Sequence, residues 1–137
     1  MITLDPEIFR NYTMNKYINL ERRNRYAASS AKKKMTNYVA YEVIAAMKRG
    51  VQFDWPCDLV FDWHLKDKRI DPDNWAFCQK YIFDGMQKAE LNGRVFLEND
   101  NMAHITSITH RFQVDKDNPR LEIYEQKGKD GACIYGL

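Results

Sequence analysis

At 137 residues the chain is long enough to bury a core and short enough to form one domain. Its 45% hydrophobic and 13% aromatic content argues against disorder, and no apolar run approaches the ~20 residues that span a bilayer. The net charge of +2 hides an asymmetry: residues 16–34 carry seven basic side chains against Glu21 alone, leaving the rest of the chain at −4.

The first residues, Met1-Ile2-Thr3-Leu4-Asp5, lack the charged and apolar regions of a signal peptide. Cys57, Cys78 and Cys133 form neither an even disulfide set nor a CxxC metal pair, which points to a reduced, cytoplasmic setting. Residues 2–4 are a short candidate strand, and the stretch to residue 21 has no clear period. A helix is expected over about 27–49, with Met35, Val39, Val43 and Ala46 at helical spacing and Gly50 ending it. Residues 57–65 alternate cleanly. Leu59, Phe61, Trp63 and Leu65 point one way, Asp58, Val60, Asp62 and His64 the other.

A second helix is expected over 72–89, opened by Asp71 as N-cap and Pro72 at its first position. Trp75, Cys78, Ile82, Met86 and Ala89 then form the core stripe, and Asp73, Phe77, Lys80 and Asp84 the opposite one. On one continuous helix this places Lys80 above Asp73. Leu91-Asn92-Gly93-Arg94 is a turn, followed by strands over 102–114 and 120–125 joined by residues 115–119. The order implies a single-domain α+β fold, a mixed sheet packed by two main helices. Residues 127–137 carry no pattern.

The chemistry concentrates in Lys68-Arg69-Ile70-Asp71-Pro72-Asp73-Asn74, with Lys80 and Asp100 downstream. Mg²⁺ is usually held by one or two carboxylates completed by water and phosphate oxygens. The basic residues beside the acids suggest that the anionic partner is a phosphate. A plainer reading makes Asp71 a helix cap, Asp73 a first-turn acid and Lys80–Asp84 a surface ion pair. An EF-hand fails, because its glycine and closing glutamate positions hold Ala76 and Ile82. His104 and His110, about 20 Å apart along a strand, read as satisfied sheet residues and not as zinc ligands. No glycine-rich phosphate loop and no nucleophile motif occurs.

Taken together, several segments resemble the RusA family of Holliday-junction resolvases, in the versions carried by phages and prophages. They are Met14-Asn15-Lys16-Tyr17, Arg22-Arg23-Asn24-Arg25-Tyr26, Phe61-Asp62-Trp63-His64, Arg69-Ile70-Asp71-Pro72-Asp73-Asn74, Lys80-Tyr81-Ile82-Phe83-Asp84-Gly85-Met86 and Glu98-Asn99-Asp100. In that family three aspartates bind the catalytic magnesium and a helix lysine is essential for cleavage. The resemblance implies those roles for Asp71, Asp73, Asp100 and Lys80. Lys80 is matched by its four-residue spacing to Asp84, with three residues more after D-x-D-N than in the best-known member.

It further implies Mg²⁺, with Mn²⁺ as a substitute, branched DNA as substrate, a homodimer, and neither membrane nor organic cofactor. Lys16, Arg22, Arg23, Arg25, Lys32, Lys33, Lys34, Lys66, Lys68 and Arg69 are the expected phosphate contacts. Tyr38 and Tyr41 are candidate dimer contacts. Two other functions fit the residues: a non-catalytic binder of DNA structure, and a general Mg²⁺ endonuclease on flaps or forks.

Overall fold

A computed structural model describes residues 1–126; the tail 127–137 lies outside the described residues. The elements run β1 (Ile2–Leu4), a 3-10 helix (Pro6–Tyr12), α1 (Met14–Arg23), α2 (Arg25–Lys48), β2 (Cys57–Leu65), α3 (Pro72–Ala76) and α4 (Gln79–Lys88). A two-residue hairpin, β3 (Glu90–Leu91) and β4 (Arg94–Val95), precedes the long strands β5 (Ile105–Val114) and β6 (Arg120–Glu125). The main sheet has the order β1-β6-β2-β5 and is mixed, because β2 pairs parallel to β5 and antiparallel to β6. The expected α+β class holds. No described helix is long and apolar enough to cross a membrane.

One face of the sheet carries the core. Phe61 sits opposite Ile123, and Trp63 opposite Leu121, while Ile2 and Leu4 extend the same apolar face across β6 to β1. Against it lie Met35, Val39 and Val43 of α2 and Ile82 and Met86 of α4, all essentially inaccessible to solvent. The alternation expected for β2 is only half realised. Asp58, Val60 and His64, assigned to the outward side, are buried as well, since β2 is an interior strand flanked on both sides. Asp58 is stabilised there by the Thr106 and Ser107 hydroxyls, which donate to it at 2.8 and 2.7 Å.

Three boundaries differ from expectation. The helix over 72–89 is two helices joined by a tight turn: Cys78 N donates to Trp75 O (2.9 Å) and Lys80 N to Phe77 O (3.2 Å), bonds of the 3-10 type. Its core stripe survives, with Trp75, Cys78, Ile82, Met86 and Ala89 all buried. The strand expected from 102 begins at Ile105, so His104 lies before it and bonds Asn101 at 2.9 Å. The sequence period also missed α1, which contains no fully buried residue.

Local chemistry accounts for the other ends. The Asn24 side chain accepts from Ala27 N (3.0 Å) and caps α2. At the other end Gly50 takes φ +90°, its N–H bonding Met47 O and that of Val51 bonding Ala46 O, a Schellman closure. Asn92 and Gly93, at φ 54° and 79°, supply the two left-handed positions of the β3–β4 hairpin.

Gly85 lets α4 approach α2. A Cβ built there would meet Val39 Cβ and Cγ1 at 2.5 Å and Thr36 O at 3.0 Å. Gly85→Ala is therefore expected to cost about 1–3 kcal/mol by overpacking, read as a lower denaturation midpoint. An unchanged midpoint would mean that the helices separate freely.

Candidate active site and nucleic-acid interface

The start of α3 does not behave as an ordinary helix cap. Asp71 occupies the N-cap position with extended backbone (φ −70°, ψ 152°), yet its side chain makes no capping hydrogen bond. Asp73, two residues on, is also exposed and accepts from the Asn74 amide, Nδ2 to Oδ1 at 3.4 Å. Among the described residues neither carboxylate joins an ion pair. Both thus stand at the start of α3 without an ion-pair partner among the described residues, and Asp71 without a capping bond.

Asn74 ties this acidic start to the basic segment. Buried at 8% exposure, it accepts from Asn15 N at 2.9 Å, in the first turn of α1. Thr13, the N-cap of α1, makes no side-chain cap bond of its own, so Asn74 performs that task from 59 residues away. Asn74→Ala should cost about 1–2 kcal/mol and loosen α1. Hydrogen exchange concentrated in residues 14–23 would report it; uniform change across the chain would speak against a local clamp.

The loop before α3 is fixed by Asp67. It accepts from Arg69 N (3.0 Å) and lies 3.5 Å from Arg10, and the Arg69 amide, chiefly, holds its carboxyl below the usual range. Arg10 in turn grips Glu7 at 2.7 Å and lies over the Trp75 ring at 5.5 Å. These contacts leave Lys68 and Arg69 exposed beside Asp71.

Two adjoining clefts follow from this arrangement. A cleft of about 580 Å³ between α1 and α2 is lined by Lys16, Arg23 and Lys34 and by no acidic residue. A smaller one, about 200 Å³, is lined by Lys16, Arg69, Asp71 and Asn74. Lys16 belongs to both, so positive charge runs from the α1–α2 cleft to Asp71. Of the other expected phosphate contacts, Arg22, Arg25, Lys33 and Lys66 are exposed but line neither cleft. Lys32 pairs with Asp84 at 3.7 Å.

Lys80 and Asp100 occupy a third cleft, about 400 Å³, shared with Lys32, Gln79, Asp84 and Ile108. The Lys80–Asp84 ion pair of the plainer reading does not form: Asp84 is taken by Lys32, and Lys80 lies over the Phe77 ring at 5.4 Å. The turn between α3 and α4 also removes the continuous helix that was to stack Lys80 on Asp73. Ile108, in the Lys80 cleft, and Phe112, beside Asp71, are four residues apart on β5, about 13 Å. Between them His110 Nε2 donates to Gln79 Oε1 (2.8 Å), while Trp63 Nε1 donates to His110 Nδ1 (2.9 Å). Burial lowers the His110 pKa to about 4, so it is neutral at pH 7 and fully hydrogen-bonded, a structural residue as expected.

Among the described residues, Asp71, Asp73 and Asp100 are not a group whose ligand atoms all lie within 4.8 Å of one another, and Asp71 and Asp100 line different clefts. Among the described residues, the group of three whose ligand atoms all approach within 4.8 Å is Asp62, His64 and Glu122. It lies on the sheet face turned away from the helices. Its members already serve one another: His64 Nε2 is 3.1 Å from Glu122 and 3.6 Å from Asp62, Gln113 donates to Asp62, and Arg120 to Glu122. Sequence alternation placed Asp62 and His64 on one side of β2. Only the β2–β6 register, Asp62 opposite Glu122, adds the third member.

No protein-family model matches the chain, and no curated protein is significantly similar to it. The likeness to the RusA family rests on its motif residues alone.

Proposed function

We propose that the chain is a Mg²⁺-dependent endodeoxyribonuclease that resolves four-way DNA junctions, working as a homodimer. The observation that carries this reading is the acid-free basic cleft that leads through Lys16 and Arg69 to Asp71, a carboxylate that neither caps its helix nor joins an ion pair among the described residues. Asp71 and Asp73 suit a hard cation that needs only one or two carboxylates, with water and phosphate oxygens completing its shell. When bound, the ion supplies charge neutralisation at the phosphate and acidifies a water molecule.

The chain's own residues do the rest. Lys16, Arg23 and Lys34 draw the DNA backbone into the α1–α2 cleft, and Lys16 with Arg69 bring one phosphate beside Asp71. Asn74 keeps α1 and α3 in register, so that phosphate and carboxylates meet at fixed distance. Lys80, which makes no ion pair among the described residues, is available to stabilise charge developing on the phosphate. Asp100 shares its cleft and is the third acid of the proposal.

Two symmetric nicks require two sites, which C₂ pairing supplies. Tyr38 is spent inside the chain, its hydroxyl accepting from Asp5 N (2.9 Å), whereas Tyr41 is 71% exposed and open to a partner. Mixing active protein with excess Asp73→Asn should give heterodimers that nick one strand of a junction. Paired cleavage by a chain that sediments as a monomer would contradict the homodimer.

One observation favours a second reading. Asp100 and Lys80 line a different cleft from Asp71, a division that suits a DNA-structure binder without catalysis. Nicking that depends on Mg²⁺ and stops with EDTA separates the two.

A further inference from the structure

Asp71 borders a second hollow, different in character from the basic one. A pocket of about 270 Å³ opens between the loop before α3 and the end of β5, sharing Ile70 and Asp71 with the Lys16–Arg69 cleft. Its walls are Leu65, Ile70, Pro72, Phe112 and Val114, with Gln113 beside them and Asp67, Lys68 and Asp71 as its charged members. The Phe112 ring is held nearly parallel to Trp63 (6.3 Å, 8°) and to His110 (6.2 Å, 17°), so its plane is set before any ligand arrives. Val114 is 45% exposed.

An apolar, aromatic-walled pocket beside a phosphate-directed cleft matches the two halves of a nucleotide, charged backbone and flat apolar base. We propose that this pocket receives one unstacked nucleobase of the strand held at Asp71, and that it sets base preference at the cut. The proposal rests on the nuclease reading above. Withdrawing a base from a stack costs least where it is already unpaired, as at a branch point. A pocket that demands an unstacked base thus favours branched over regular duplex DNA. Base–aromatic stacking tolerates every base but holds them unequally, and its loss weakens the complex roughly tenfold.

The test uses the full chain and four-way junctions carrying each of the four bases on either side of a mapped cut. A parallel set carries 5-iododeoxyuridine there for photocrosslinking in EDTA. Wild type is expected to cut the four bases at one flanking position at rates differing about tenfold or more, with the crosslink in the peptides holding Phe112 or residues 65–72. Phe112→Ala should flatten the preference. Because Phe112 also packs on Trp63, Val114→Trp serves as the second variant; it fills the mouth from an exposed edge position and should flatten it too.

Equal wild-type rates for all bases, a preference retained in both variants, or crosslinks confined to other peptides would overturn the pocket. The nuclease reading fails separately, by absence of Mg²⁺-dependent cleavage, and the EDTA crosslink then still decides whether a base enters. A junction that does not bind at all overturns both.

Discussion

Asp71→Asn and Asp73→Asn should each lower junction cleavage on the order of 10³-fold while leaving junction binding largely intact. Metal-ion catalysis contributes several kcal/mol at the transition state, and each 1.36 kcal/mol is a factor of ten in rate. Folding should not suffer, because neither carboxylate caps α3 or forms an ion pair among the described residues. Asp100→Asn and Lys80→Ala are the sharper pair, since these residues line a different cleft from Asp71. Loss of cleavage in both would join the two clefts functionally. Cleavage by Asp73→Asn at the wild-type rate would remove the α3 acids from the site.

Replacing Lys16, Arg23 and Lys34 together with alanine should weaken binding to every DNA sequence alike and reduce the salt slope of log K by about 2.7. That is the release expected from three phosphate contacts on duplex DNA at about 0.9 each. The same change at Arg22, Arg25 and Lys33 should do less, because these side chains line neither cleft. Equal slopes for the two triple variants would mean that the cleft does not guide the DNA.

Much of the fold was legible because it follows local rules. Met35, Val39 and Val43 on α2, and Trp75, Ile82 and Met86 downstream, announce their buried faces by helical period. Asn92-Gly93 and Gly50 mark their turns through backbone preference. What was illegible depends on contacts distant in sequence. The Asn15 amide at the start of α1 is satisfied by Asn74, so no local capping signal marks it. The burial of Asp58 and His64 follows from the interior place of β2, which only the pairing with β5 and β6 reveals.

The candidate site divides in the same way. The D-x-D-N segment, read from the chain, is an exposed pair of acids at a helix start, neither in an ion pair among the described residues. The plainer reading of Lys80 and Asp84 as an ion pair used only their spacing along the helix, and a cation from α2 takes Asp84 instead. The basic segment was visible as composition. Its division into cleft-lining Lys16, Arg23 and Lys34 and outlying Arg22, Arg25 and Lys33 needed the angle between α1 and α2.

Cleavage of a four-way junction, a flap and a linear duplex of the same sequence, by the purified chain with Mg²⁺ and with EDTA, tests the central claim most directly. The account predicts Mg²⁺-dependent paired nicks in the junction, abolished in Asp71→Asn, with the linear duplex left intact. Tight junction binding without cleavage in Mg²⁺ or Mn²⁺ would contradict it.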